Sequence, residues 1–187
     1  MDRVLVERAQ AGDREAFNQL VKVSIRRLLG VARLILHDSY RAEDAVQDAL
    51  LLAWRDLRAL RDPDAWDAWV RRLTVNACYK AAGKAQRRTQ VEAEVTSDPR
   101  SAHAPDASAE VADREWVLSA VDRLGIDQRA VIVLHYYLDL PVAEVAEILD
   151  IPYGTAASRL HRGLDAMRIS MRVEPGAVPR LAAGRAR

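Results

Sequence analysis

Between Ala68 and Val91 the sequence carries Arg71, Arg72, Lys80, Lys84, Arg87 and Arg88 and not one carboxylate, a window charge of +6. Cations at that density suit a polyanion, because each one that meets a phosphate releases a condensed counterion. A second group, Thr155, Ser158, Arg159, His161 and Arg162, lies near the C-terminus at helical spacing, with no acid from Thr155 to Leu164. Arginine pairs with phosphates or guanine edges, and hydroxyl and imidazole groups reach phosphates or bases. A merely solvated helix face would show the same residue types, so this set alone leaves both readings open. Neither reading makes or breaks a covalent bond. The histidines, His37, His103, His135 and His161, form no HExxH, and there is neither a glycine-rich phosphate loop nor a nucleophile elbow. The expectation is a protein that is not an enzyme, takes no small-molecule substrate and needs no cofactor or metal.

The elements that must position these groups read as helices. Ala, Leu, Val and Arg dominate the chain, aromatics make up only 5%, and glycine and proline are few before residue 99, a mixture that favours helix over sheet. An all-α protein is expected. Residues 2–36 form helices punctuated at Gly12-Asp13, where Asp13 can cap the second helix, and a break falls at His37-Asp38-Ser39. Over 43–58 the periodicity puts Val46, Ala49, Leu50, Ala53, Trp54 and Leu57 on one inward stripe. Asp44, Gln47, Asp48, Leu51 and Arg55 share the remaining surface. Asp62-Pro63-Asp64 is a helix-start signal, and the helix it opens is expected to end near Arg87. Trp66 and Trp69, three residues apart, suit a core better than a stacking platform.

After this basic block the charge reverses. From Thr89 to Asp113, Glu92, Glu94, Asp98, Asp106, Glu110 and Asp113 stand against Arg100 alone, and 96–109 carries two prolines and small polar residues without an apolar period. This reads as a flexible acidic linker over 89–110 between two small helical domains, 1–88 and 111–171, with 172–187 a disordered tail. In the second domain Val142, Val145, Ala146 and Leu149 face inward, a turn comes next at Asp150-Ile151-Pro152, and Ala156, Leu160, Leu164 and Met167 line the helix after it. That is the pattern of a helix-turn-helix. The helix entry after Pro152 offers the backbone amides up to Thr155 and the Thr155 hydroxyl to a phosphate.

Cys78 has no second thiol to pair with, there is no apolar signal core at the N-terminus, and no segment approaches the roughly eighteen apolar residues of a membrane span. A cytoplasmic protein with no direct membrane insertion is expected.

Three stretches, AEDAVQDALLLAWRDL, WDAWVRRLTVNACYKAAGKAQRR and LDLPVAEVAEILDIPYGTAASRLHRGLDAMR, taken in that order, resemble regions two and four of the extracytoplasmic-function (ECF) sigma factors of bacterial RNA polymerase. The resemblance spans about residues 1–88 and 111–171. It implies that Asp44, Gln47, Asp48, Leu51 and Arg55 dock on core RNA polymerase. It also implies that the minus-10 promoter element is captured by the turn at 60–66, with Leu60, Arg61, Asp62 and Asp64, and by Asn76. Arg71, Arg72, Lys80, Lys84, Arg87 and Arg88 would then hold the single strand. Thr155, Ser158, Arg159, His161 and Arg162 would read the minus-35 element in duplex promoter DNA, and an anti-sigma factor would be a further partner. Three positions depart from the family: in the turn, Leu60 and Pro63 stand where relatives often have Phe and a small polar residue, and in the recognition helix Ala157 stands where Lys or Arg is frequent. Without the resemblance, a helix-turn-helix regulator whose first domain senses a ligand or dimerises would fit the same residues.

Overall fold

A chain rich in helix formers and poor in breakers folds as helices here too. The computed structural model describes residues 3–93 and 117–172, with side chains over 3–85 and 117–171. The elements are α1 (Arg3–Gln10), α2 (Arg14–Leu36), α3 (Ser39–Asp56), 3-10 turns at Leu57–Ala59 and Pro63–Ala65, and α4 (Trp66–Ala93). Then come helical residues 117–122 (α5), α6 (Ile126–Ile132) running on into a π turn at Val133–Tyr137, α7 (Val142–Leu149) and α8 (Tyr153–Arg172). There is no strand among the described residues.

Short polar side chains set the boundaries. Asp13 accepts from the amides of Glu15 at 3.0 Å and Ala16 at 3.1 Å, and so caps α2. At the other end His37 turns left-handed at φ 51° and its amide returns to the Arg33 carbonyl, after which the Asp38 carboxylate caps α3 through Arg41 N–H. Asp62 caps the turn that Pro63 opens. Helix α4 runs to Ala93 instead of ending near Arg87, so the stretch assigned to a linker from residue 89 begins as helical backbone. The reason is local: nothing from Lys84 to Ala93 breaks a helix, and the next proline is Pro99. Residues 94–110, and all but the first of 172–187, lie outside the described residues.

The first unit packs α2, α3 and α4 together. Ala42, Ala45, Ala49 and Ala53 form a small-residue ridge on α3 that lets Leu20, Leu28, Val31 and Ile35 of α2 and Trp66, Val70 and Val75 of α4 close in. Trp66 is wholly buried and its indole N–H donates to the buried Ser24 hydroxyl at 3.4 Å, so two polar groups in the core answer each other. Trp69 is half-buried beside it, at 5.9 Å between ring centroids. Trp54, expected on the inward stripe, is instead 37% exposed and meets Phe17 edge-on at 4.9 Å. The alanine ridge brings α2 so close to α3 that an indole does not fit between them, and the ring stands at the rim.

The second unit crosses α7 over α8 at Ala146 and Ala156, both buried, and seats α8 on α6 where Gly163 faces Ile132. His135 is structural, its Nδ1 2.7 Å from the Leu140 carbonyl. The two units are not separate bodies. Val131, Leu134, Val145 and Ile148 of the second belong to the same buried cluster as the core of the first, and α4 packs on α7 while α2 packs on α6 and the π turn. Amphipathic periodicity shows that a face is buried but not against which neighbour, so the sequence holds no sign of this docking.

Candidate nucleic-acid interface

Helix α7 ends on Asp150, left-handed at φ 55°, and the Ile151 amide turns back to the Ala146 carbonyl at 3.0 Å. The Pro152 carbonyl then accepts from Thr155 and Ala156 at 2.9 and 3.1 Å, which starts α8. The Thr155 amide, expected to be open to a phosphate, is therefore already engaged. Ala156 and Met167 are buried and Leu160 and Leu164 half-buried, which turns Ser158, His161 and Arg162 outward. Thr155 is half-buried. Ser158 donates to the Thr155 carbonyl at 3.0 Å and accepts from Arg162 at 3.3 Å, so hydroxyl and guanidinium are held together on one ridge. His161 lies 3.2 Å from Asp165. Arg159 differs: its side chain is 23% exposed and pairs with Asp127 of α6 at 3.2 Å.

The first unit presents two further sets. Asp44, Gln47, Asp48, Leu51 and Arg55 are all exposed on one side of α3, with Leu51 at 62% and Arg55 held bidentately by Asp56 at 2.7 Å. Leu60 is half-buried while Arg61, Asp62 and Asp64 are exposed. The turn they share is tied from behind by Gln10, whose amide donates to the carbonyls of Leu57 and Leu60 at 3.2 and 2.7 Å. Asp64 also pairs with Arg3 at 3.1 Å. Along α4, Arg72, Asn76, Lys80 and Lys84 are exposed and Arg71 folds back on the Asp67 carbonyl at 2.7 Å. Arg87 and Arg88 lie on the helical backbone beyond the described side chains. Asn76 and Lys80 line a cleft of about 310 Å³ with Asp48 and Leu51, so the expected polymerase face and strand-holding face meet.

Two features escape a reading of the sequence. One is an almost wholly apolar groove of about 440 Å³ between α2 and α3, floored by Phe17, Val21, Ile25, Leu29, Leu50 and Trp54 and rimmed by Gln47 and Leu51. The other is that Arg72 is not free but pairs at 3.0 Å with Asp150, in the turn before α8. Neither has a local signal, because each depends on which helices become neighbours.

The family described as Sigma-70 region 2 matches residues 20–88, and that described as Sigma-70, region 4 matches 114–167. The chain is 34% identical over 162 residues to the ECF RNA polymerase sigma factor SigM of Mycobacterium tuberculosis, covering 86% of this chain and 80% of that one. It is a member of the ECF sigma factors. With the ECF RNA polymerase sigma-E factor of Escherichia coli this sigma factor shares 33% identity over 189 residues, across 93% and 95% of the two chains. Among solved structures it matches Bartonella quintana RpoE, a sigma factor crystallised with the anti-sigma factor NepR, with a TM-score of 0.67 at 25% identity over 84% and 98% of the chains. CnrH, in complex with the cytosolic domain of CnrY, gives the same TM-score at 23% identity and shares the fold. As a member of this family the sigma factor serves promoter-specific transcription initiation. Among the described residues no helix is long and apolar enough to cross a membrane, and no group of three or more His, Cys, Asp or Glu could hold a metal.

Proposed function

We propose that this sigma factor divides initiation among its three exposed surfaces. Asp44, Gln47, Asp48, Leu51 and Arg55 dock on helices of core RNA polymerase, and the groove floored by Phe17, Val21, Ile25 and Trp54 takes the apolar side of the same contact. The observation that carries this reading is the adjacency of an acidic stripe and an open apolar groove, because a monomer gains nothing by leaving Leu51 and Trp54 in water. The turn from Leu60 to Asp64, with Asn76, captures a base of the minus-10 element. Arg71, Arg72, Lys80, Lys84, Arg87 and Arg88 then hold the strand by its phosphates. Ser158, Arg159, His161, Arg162 and Thr155 read the minus-35 element in the major groove, with Ala157 leaving one contact fewer. The domain limits obey the same division, 1–88 and 111–171.

The protein acts in the cytoplasm as a non-catalytic factor, and an anti-sigma factor is its further partner, as NepR is for the Bartonella protein. Run-off transcription with purified core polymerase, on promoters mapped after induced expression, tests the reading. Promoter-specific transcripts that depend on the added chain are expected, and none from any such promoter would refute it.

A further inference from the structure

The first turn of α8 carries two residues that the packing of the second unit does not account for. Tyr153, its first residue, is 61% exposed, and its side chain meets no hydrogen-bond or aromatic partner among the described residues. Gly154 follows, and a Cβ there would find nothing within 4 Å. Glycine weakens a helix, and no neighbouring helix uses the space it leaves here, so what that space admits comes from outside. Both residues stand at the end of the recognition helix that a helix-turn-helix brings to the base edges.

Helical spacing divides the outward face of α8 into two rows. Gly154, Ser158 and Arg162 stand four residues apart in one, and Tyr153, Ala157 and His161 in the other. The first row holds polar readers. In the second a short side chain stands between two rings: Ala157 is half-buried, while Tyr153 is exposed one turn before it and His161 one turn after. That arrangement is an apolar notch.

Charge decides what approaches it. Tyr153 shares a surface hollow with Glu147 and Asp150, both exposed. Their carboxylates repel a sugar-phosphate strand, which leaves a base edge as the part of the duplex that the ring can meet. The phenol hydroxyl both donates and accepts, so it tells bases apart poorly. The ring and the Ala157 methyl do discriminate, because thymine alone presents a methyl group in the major groove.

We propose that Tyr153 and Ala157 form an apolar notch on the recognition helix that takes the C5-methyl of a thymine in the minus-35 element, which makes Tyr153 a specificity-determining residue. The inference rests on the proposed assignment of α8 to that element. It gives a reading role to the place where Ala157 offers no polar contact.

The test uses the full chain and duplexes carrying the minus-35 element of a promoter mapped after induced expression. Each thymine in turn is replaced by deoxyuridine, which removes the methyl and nothing else, and affinity is read by fluorescence anisotropy at fixed salt. One replacement should weaken wild-type binding about fourfold, the worth of one buried methyl at about 0.8 kcal/mol. Tyr153→Phe should keep that sensitivity. Tyr153→Ala, which removes a wall of the notch, and Ala157→Gln, which fills it, should lose the sensitivity while circular dichroism shows unchanged helix content. Wild-type indifference to every deoxyuridine, or a sensitivity that survives in Tyr153→Ala, overturns the proposal. So does a Tyr153→Phe chain that behaves like Tyr153→Ala, because the hydroxyl is then the contact. Arg162→Ala separates this from the functional reading. If it weakens the duplex while no deoxyuridine does, only the notch fails; if neither it nor Tyr153→Ala changes affinity, the assignment of α8 fails as well.

Discussion

Arg159→Ala is the sharpest perturbation, because Arg159 is tied to a partner that must let it go. It is paired at 3.2 Å with Asp127, whose side chain is 51% exposed, so the pair is worth about 0.2–1 kcal/mol. To reach a base edge Arg159 must leave Asp127, and that loss is subtracted from promoter binding. Asp127→Ala should therefore tighten the minus-35 duplex by about 1.4- to 5-fold. If Arg159 grips a base edge bidentately, Arg159→Ala should weaken binding by about 1–3 kcal/mol, roughly 5- to 150-fold, and relax preference at one base pair. The decisive measurement is the double-mutant cycle by fluorescence anisotropy at fixed salt, since phosphate contacts make any affinity salt-dependent. If Asp127 acts by restraining Arg159, its removal does nothing once Arg159 is gone. A gain that persists in the Arg159→Ala background means the carboxylate simply repels DNA. Unchanged affinity and preference in Arg159→Ala would refute the recognition-helix assignment.

Other outcomes are expected. Reversing Asp44 and Asp48 to Lys should reduce core-polymerase binding at least tenfold in a pull-down titration while the helical spectrum stays intact, since both side chains are exposed. Equal binding would remove the docking face. Trp66→Ala should destabilise the first unit by about 3–5 kcal/mol in urea unfolding, because a wholly buried indole leaves a cavity and strands the Ser24 hydroxyl. Burial, and then the Arg129 guanidinium, push the His37 imidazole down to about 4 from its ordinary 6.5, outweighing the Asp122 carboxylate that would favour the charged ring. The lowered value means that its contribution to the docked state is fully present above pH 6.5 and is lost as pH falls toward 4. Expansion over that window by scattering, abolished in His37→Gln, is the expected result. Burial likewise pushes the Cys78 thiol up to about 12, so thiol-specific labelling of the folded chain should be slow and should accelerate only on unfolding.

How much of the molecule is legible in its sequence depends on whether a feature is local. The caps at Asp13 and Asp62, the break at His37-Asp38 and the helix-turn-helix all rest on contacts a few residues long, and they stand where the residue types put them. The exposed set on α3 comes from a single periodicity. Trp54 does not, because whether an indole is inside depends on how close α2 comes, and the alanines of α3 set that distance. The end of α4 is not legible from charge, because a reversal of sign is not a break in the backbone and a helix tolerates either sign on its surface.

Periodicity, caps and charge are properties of neighbouring residues, and they suffice to make this chain all-helical with basic and acidic stretches segregated along it, while its place among the sigma factors rests on the resemblance of its three motifs. What those faces meet is settled only in three dimensions: Tyr137 over Gly30, Arg129 on the Ile35 carbonyl, Arg72 on Asp150. These partners are separated by scores of residues, and no local rule pairs them. Their pairing depends on two amphipathic surfaces fitting together, where a missing side chain matters as much as one that is present.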